Sequence, residues 1–303
     1  MSSIRVASAP CSYGAFEITV GIVPDVPGPE RVLDAISDAG YGGTELGPPG
    51  YLGQRGNLRE RLEEHGLVLV GGYIQIRFSE PALWDEDLTA MGGTLDLFAA
   101  AEGTEAKAVL ADAGSIERAQ FPGRAATDHS IGLDTSGWRR LSEGVARAAD
   151  LARTRGFEPT FHHHTATFVE APWEIERLLE LTDVGLLLDT GHLALGGGDP
   201  PQALRDWGER INHVHVKDVH NDILAGVIAD GADMPEAWRR GVFCELGTGD
   251  VDLDSFFDEL ARSQYSDWLV VEQDMVPQSP QDAAAAEASQ VRNRAWLTEH
   301  AGL

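Results

Sequence analysis

Two apolar stretches of the sequence end in a carboxylate. Val184 to Leu188 is followed by Asp189 and Trp268 to Val271 by Glu272, while His192 comes three residues after Asp189. A carboxylate that closes a buried strand can bind a metal ion or transfer a proton. An aspartate in this position more often caps a helix or forms a turn, so Asp189 needs partners before it indicates function.

Basic and imidazole side chains follow a similar pattern in two further strand-like stretches. His213, His215 and Lys217 alternate with valines and therefore share one face of a strand. In the run His162 to His164 the outer two side chains would face together, and the middle one is interpreted as structural. Polar side chains that share a buried face indicate a site rather than packing.

Glu45 is a weaker member of the same set. It lies just before the turn Gly47 to Gly50, where its carboxylate could equally satisfy loop amides. Together the carboxylates and imidazoles form a mixed oxygen and nitrogen set that suits Mn, Co, Fe or Zn better than Ca. The set is larger than a closed tetrahedral site requires, which leaves room for water or substrate and indicates catalysis.

The elements that must position these residues alternate along the chain. Strand-like stretches are separated by amphipathic helical ones, as in a parallel sheet with helical crossovers. The predicted strands are Arg5 to Pro10, Gly43 to Leu46, Leu67 to Ile76, Ala106 to Asp112, Glu158 to Thr165, Val184 to Asp189, Asn212 to Asp218 and Trp268 to Asp274. The predicted helices are Glu30 to Ala39, Leu58 to His65, Glu86 to Ala101, Trp138 to Arg155, Pro172 to Leu181, Pro201 to Arg210, Leu253 to Gln264 and Gln281 to His300.

Eight strand and helix pairs favour an α/β fold, a closed (β/α)8 TIM barrel that forms a single domain over residues 1–303. An open doubly wound sheet is the alternative, but no glycine-rich phosphate loop follows the first predicted strand. In a barrel, catalytic side chains gather at the carboxyl ends of the strands. The connection at about 219–251 is far longer than an ordinary loop, and we predict that it acts as a lid.

The composition argues against several functions. A net charge of −26 disfavours nucleic acid as a partner, because its phosphates are bound by Lys and Arg. No apolar run is long enough to span a membrane. Two cysteines, Cys11 and Cys244, and no apolar leader favour a cytoplasmic protein over a secreted one. The expected partner is a small molecule, and association of identical chains as a homo-oligomer stays open.

Five separated motifs resemble those of the xylose isomerase-like barrel enzymes, a family of sugar isomerases, epimerases, dehydratases and abasic-site endonucleases. The motifs are Gly43 to Pro48, His162 to His164, Leu188 to His192, His213 to Asp218 and Glu272 to Asp274. The resemblance covers nearly the whole chain. Within the family it is greatest to the dehydratases that act on keto-cyclitols.

This resemblance implies a divalent metal, Mn or Co first and Zn, Fe or Mg as alternatives. One side chain from each of strands five to eight would hold it, which this sequence would supply as His162, Asp189, His215 and Glu272. The wider family has glutamate at the first of these positions. Glu170 is therefore an alternative to His162.

The resemblance also implies a lyase of inositol catabolism that removes water from 2-keto-myo-inositol or a related keto-sugar. A base would take the hydrogen on the carbon between the carbonyl and the leaving group. The candidates for base and acid are His164, His192, Lys217 and Glu45, and the sequence leaves their roles open. A ketose 3-epimerase or an aldose–ketose isomerase would use the same site. A binding barrel with a structural metal is a third hypothesis.

Overall fold

The computed structural model describes residues 4–303 and confirms a closed barrel of eight parallel strands. The described residues contain ten strands, of which eight form the barrel. They are β1 (Arg5–Ser8), β2 (Gly43–Glu45), β3 (Val68–Ile76), β4 (Lys107–Asp112), β5 (Pro159–His162), β6 (Gly185–Asp189), β7 (Ile211–Val216), β8 (Asp218–Val219), β9 (Phe243–Cys244) and β10 (Trp268–Val271). Around the barrel they follow the order β1, β10, β7, β6, β5, β4, β3 and β2, and β2 closes the ring against β1. β8 and β9 form a separate antiparallel pair.

Helices surround the barrel, and all eight predicted helices are present. The α-helices of residues 4–303 are α1 (Pro29–Asp38), α2 (Leu58–Glu64), α3 (Trp84–Ala100), α4 (Ile116–Gln120), α5 (Thr135–Thr154), α6 (Pro172–Leu181), α7 (Thr190–Leu195), α8 (Pro200–Trp207), α9 (Asn221–Ala229), α10 (Met234–Arg239), α11 (Leu253–Arg262) and α12 (Pro280–His300). α1 shows the packing rule, because Val32, Leu33 and Ile36 form one apolar stripe that is buried in the core. Within residues 4–303 no helix is long and apolar enough to cross a membrane.

The strand register brings the predicted site residues to one end of the barrel. Asp189 is the last residue of β6 and pairs with His215 of β7. His162 is the last residue of β5, and Glu272 directly follows β10. Because parallel strands run in the same direction, these side chains meet at the carboxyl end of the barrel.

The prediction that strand five reaches Thr165 is wrong. β5 ends at His162, because the amide of His164 donates a hydrogen bond to the carbonyl of Val169 and closes a turn. Within that turn Ala166 has a φ of 70°, a left-handed backbone conformation. His164 therefore lies in a tight loop at the barrel mouth and not in the strand. β1 and β10 also end earlier than predicted.

The prediction that strand seven reaches Asp218 is also wrong, because Asp218 belongs to a second sheet. It pairs with Cys244 in the β8–β9 hairpin. Its buried carboxylate accepts backbone N–H hydrogen bonds of 2.9 to 3.1 Å from Val219, Gly247, Gly249 and Val251. A Cβ atom on Gly249 would lie 2.3 Å from Asp218 Oδ1, so only glycine allows this close approach. The 247–249 turn therefore surrounds the Asp218 carboxylate with the amides of its two glycines.

The long connection at 219–251 is folded rather than a simple loop. It contains α9, α10 and β9, and its side chains Val227, Met234 and Ala237 are buried. The connection folds because the apolar residues of α9 pack into the core beside the barrel. The connection is therefore a small subdomain that is anchored to the barrel through Asp218.

We predict that Asp218→Ala destabilises the protein by about 2–5 kcal/mol, because four backbone N–H groups, two of them in the buried residues Val219 and Val251, lose their acceptor. Asp222→Ala, which removes an exposed carboxylate nearby, is the matched control and should change stability by less than about 0.5 kcal/mol. Denaturant unfolding monitored by fluorescence measures both. Equal stabilities of the two variants would contradict the anchoring role of Asp218.

Candidate active site

Four of the predicted site residues converge at the mouth of the barrel. His162, Asp189, His215 and Glu272 are buried, and each presents a nitrogen or oxygen atom within 4.8 Å of the other three. Asp189 Oδ2 lies 3.8 Å from His162 Nε2 and 3.7 Å from His215 Nδ1. His215 Nδ1 lies 3.0 Å from Glu272 Oε2. We call these four side chains the ligand cluster.

Lys217 lies beside the ligand cluster and balances its carboxylates. Its Nζ atom is 2.8 Å from Glu272 Oε2, 3.2 Å from Asp189 Oδ2 and 3.4 Å from Asp274 Oδ2. Burial lowers the pKa of a lysine, but the three carboxylates outweigh it and hold the pKa of Lys217 well above its usual range. Burial likewise raises the pKa of Asp189, yet Lys217 and His192 keep that pKa well below its usual range. The cluster therefore keeps its negative charge at neutral pH.

Several polar atoms of this region are buried without a hydrogen bond among residues 4–303. They include His162 Nδ1, and also Asp189 Oδ2 and His215 Nδ1, which have only the charged neighbours Lys217 and Glu272 described above. Buried polar atoms normally have partners, so unpaired ones need an explanation. Burial also lowers the pKa of His162 well below its usual range, which keeps its imidazole neutral and its lone pair free. Carboxylate oxygens and imidazole nitrogens that lie this close together form a donor set that fits a divalent transition metal.

The two histidines next to the ligand cluster are held in opposite tautomers by Thr165. His164 Nδ1 lies 2.8 Å from the Thr165 carbonyl oxygen, which only accepts, so this nitrogen carries the proton and Nε2 has the lone pair. The Thr165 amide donates to His192 Nδ1 at 3.3 Å, so His192 carries its proton on Nε2. The two rings stack with centroids 3.8 Å apart. One ring therefore offers an acceptor and the other a donor.

Glu45 contacts the ligand cluster from across the barrel. Its Oε1 atom lies 2.9 Å from His213 Nε2 and 2.9 Å from His215 Nε2. Burial raises the pKa of Glu45, but the two histidines together lower it below its usual value. Glu45 was predicted from the sequence as a site residue, and in the structure its carboxylate contacts two imidazoles.

Glu170, the alternative to His162, lies outside the ligand cluster. Its carboxylate pairs with Arg118 at 3.2 Å and accepts amide hydrogen bonds from Ala166 and Gly123. Arg118 also forms two hydrogen bonds of 3.0 Å to Glu174. All three charged side chains are buried. This network ties the loop after β4 to the loop that carries His164.

His163 is hydrogen-bonded to the backbone, as expected for a structural side chain. Its Nε2 atom accepts a hydrogen bond of 3.2 Å from the amide of Asp189. This contact fixes the backbone at the point where Asp189 enters the ligand cluster. The three consecutive histidines therefore differ in their surroundings, and only His162 belongs to the cluster.

A cavity of about 290 Å³ opens onto the cluster. Its lining includes His162, His164, His215, Lys217 and Glu272, whereas His192 lies behind His164 and is fully buried. A larger cleft of about 510 Å³ lies between the loops near α8 and α11, but it contains none of the predicted site residues. The smaller cavity is therefore the one in which chemistry can occur.

The cavity also contains residues that the sequence reasoning missed. Tyr73 and Gln75 lie on the inward face of β3, where alternation along the strand could have identified them. Cys11 and Asp274 lie beside Glu272. Trp238 reaches the cavity from α10 in the folded connection, and no sequence pattern signals that contact.

Comparison with known proteins identifies relatives over most of the chain. The family model described as "Xylose isomerase-like TIM barrel" matches residues 33–299. An inosose dehydratase from Geobacillus kaustophilus (strain HTA426) is 33% identical over an alignment of 293 residues that covers 91% of this chain and 89% of that protein. The rhizopine catabolism protein MocC from Rhizobium meliloti is 31% identical and covers 91% of this chain and 83% of its own length.

Solved structures show the same fold at lower identity. An L-ribulose 3-epimerase superposes with a TM-score of 0.69 and 19% identity, covering 99% of this chain and 95% of that one. The IolI protein with a bound zinc atom gives a TM-score of 0.69 with 14% identity, covering 98% of this chain and 99% of that one. At these identities the likeness concerns the fold alone.

We predict that Arg118→Met destabilises the protein by about 3–5 kcal/mol, because Glu170 and Glu174 lose the cation that balances them inside the protein. Arg153→Met removes an exposed pair with Asp183 and should cost under about 1 kcal/mol. Denaturant unfolding of both variants compares the two ion pairs. A similar cost for both would show that the buried network does not hold the loops.

Proposed function

The chain belongs to the xylose isomerase-like TIM barrel family, and we propose that it is a metal-dependent dehydratase of 2-keto-myo-inositol or a related keto-cyclitol. The observation that carries the proposal is the ligand cluster, which opens onto a cavity lined by His164 and Lys217. The inosose dehydratase relative, 33% identical over most of both chains, supports the choice of reaction. The net charge of −26 supports a small molecule over a nucleic acid.

The metal would be held by His162, Asp189, His215 and Glu272. His162 Nε2 and His215 Nδ1, which lie 3.8 Å and 3.7 Å from Asp189 Oδ2 without a hydrogen bond to it, support this assignment. The mixed set suits Mn or Co, with Zn, Fe and Mg as alternatives. A bound divalent ion would polarise the carbonyl and a neighbouring hydroxyl of the substrate, which acidifies the adjoining C–H bond.

His164 is the base in this proposal. Its Nδ1–H group is engaged by the Thr165 carbonyl, so the nitrogen left to face the cavity is Nε2 with its lone pair. Burial and the charge of Lys217 lower the pKa of His164, which keeps the ring neutral and able to accept a proton. Nε2 takes the proton from the carbon between the carbonyl and the leaving hydroxyl.

Lys217 is the cavity-lining cation that stabilises negative charge during the reaction. Its high pKa keeps it an ammonium, and its N–H groups can donate to the oxygen on which charge develops. When the C–O bond breaks, its electron pair leaves with the hydroxide. The hydroxide takes up the proton that His164 removed and forms water, so His164 is neutral again and the ring retains a new carbon–carbon double bond. The atoms of the substrate are thus divided between water and an enone product.

His192 supports this arrangement from behind. It is fully buried, stacks on His164 and directs its Nε2–H group towards Asp274 Oδ2 at 3.7 Å. Its partner Asp274 also faces Lys217. We therefore assign His192 to the support of His164 and Lys217 and not to direct contact with the substrate.

The folded connection at 219–251 would cover the bound substrate. Met234, Pro235 and Trp238 of this connection line the cavity. Phe243 places its ring 5.2 Å from Lys217 Nζ. Apolar walls exclude water from the site and strengthen the electrostatic interactions inside it. This lid role and a cytoplasmic location are part of the proposal.

We predict that the metal-free protein is inactive on 2-keto-myo-inositol and that Mn²⁺ or Co²⁺ restores activity. Consumption of the ketone with a new ultraviolet absorbance and the loss of water by mass spectrometry would measure the reaction. Solvent deuterium in a recovered or epimerised sugar without loss of water would instead support an epimerase or isomerase. No turnover of inososes or ketoses by the metal-loaded protein would contradict an enzyme and favour a binding barrel.

We predict that His164→Gln lowers turnover by about 10²- to 10⁴-fold, the usual contribution of a positioned base, and leaves metal affinity unchanged. His162→Ala should instead lower metal affinity. Titration with Mn²⁺ and assays at saturating metal separate the two effects. Wild-type turnover in His164→Gln would exclude His164 as the base.

A further inference from the structure

Glu45 lines the cavity, but its Oε1 atom is already engaged by two imidazoles. Both close contacts of its Oε1 atom are with imidazoles, His213 Nε2 and His215 Nε2 at 2.9 Å. A carboxylate accepts hydrogen bonds, so both of these nitrogens carry protons. Glu45 therefore keeps Nε2 of His215 protonated, while the other ring nitrogen, Nδ1, faces the ligand cluster.

We infer that Glu45 is a positioning residue that holds His215 with Nε2 protonated and presents Nδ1 to the metal. This inference rests on the proposed metal centre. His215 Nδ1 lies 3.0 Å from Glu272 Oε2 and 3.7 Å from Asp189 Oδ2, on the side where the other ligand atoms meet. A carboxylate that accepts from the remote N–H of a metal-binding histidine fixes the ring and makes it a stronger ligand.

The fold provides the space that this contact requires. Glu45 ends β2, and His215 lies on β7, three places away around the barrel, so the carboxylate must cross the interior. Gly71 on β3 makes the crossing possible, because a Cβ atom there would lie 2.9 Å from Glu45 Oε1. The ladder between β2 and β3 also shifts register at Glu45, which changes the direction of its side chain.

His213 is the second anchor of the same carboxylate. It precedes His215 by two residues on β7, so both rings point inward, and their centroids lie 5.3 Å apart. By donating to the same oxygen, His213 restricts the rotation of the Glu45 carboxylate. The alternating histidines of β7 therefore have different tasks. One binds the metal, and the other supports the carboxylate that orients it.

Two variants test the inference in complementary ways. Glu45→Gln removes the charge and keeps the size of the side chain, and Mn²⁺ and Zn²⁺ affinity should fall by about 10- to 100-fold. Gly71→Ala keeps every charge but displaces the end of Glu45, and affinity should fall in the same direction. Asp183→Asn removes one exposed carboxylate just before β6, at the opposite end of the barrel, and should bind both ions as the wild type does.

Metal affinity is measured by competition with a chelating dye, and circular dichroism checks that each variant is folded. In the Zn²⁺-loaded wild type, ¹H–¹⁵N NMR should show a protonated Nε2 and a metal-bound Nδ1 on His215. Coordination through Nε2, or Glu45→Gln affinities within twofold of the wild type, would overturn the role of Glu45. A wild-type chain that bound no metal would overturn the proposed metal centre as well, which distinguishes the two failures.

Discussion

The structure depends on one constraint, the burial of several carboxylates at the mouth of a closed barrel. Asp189 and Glu272 are removed from water, and a buried negative charge persists only with a cation or hydrogen-bond donors beside it. Lys217 supplies one cation, and its distances to both carboxylates show how closely the charges are matched. We propose that His162, whose imidazole is kept neutral by burial, joins Asp189 and Glu272 in binding a second cation.

Residues at increasing distance from the buried carboxylates hold the site in place. Glu45 reaches through the barrel to His215, and the Arg118 network holds the loop that carries His164. Asp218 anchors the folded connection, which contributes side chains to the lining of the cavity. Each of these contacts is itself a buried charge with several partners. Burying these charges costs free energy, and their partners in the surrounding loops offset that cost. The same loops also shape the cavity.

The sequence predicted the parts of this arrangement that follow from periodicity. Eight strands, the terminal carboxylates Asp189 and Glu272, and the shared face of His213 and His215 are all local patterns, and the barrel confirms the strand count. The predicted end of β5 was wrong. The turn that carries His164 depends on a hydrogen bond to the Val169 carbonyl, which no periodic pattern in the sequence indicates.

Contacts between distant parts of the chain could not be predicted. Glu45 and His215 are 170 positions apart, and only the closed barrel makes them neighbours. The tautomers of His164 and His192 depend on the backbone of Thr165, which has no sequence signature. The folded connection was predicted as a lid-like loop because its helices α9 and α10 are short and its anchor, Asp218, looked like the end of a strand.

Anomalous X-ray diffraction from crystals grown with Mn²⁺ tests the central claim most directly. We expect one strong anomalous peak within bonding distance of His162, Asp189, His215 and Glu272. A well-ordered barrel without a peak among these four side chains, or with its peak at another group of residues, would contradict the assignment of the metal centre.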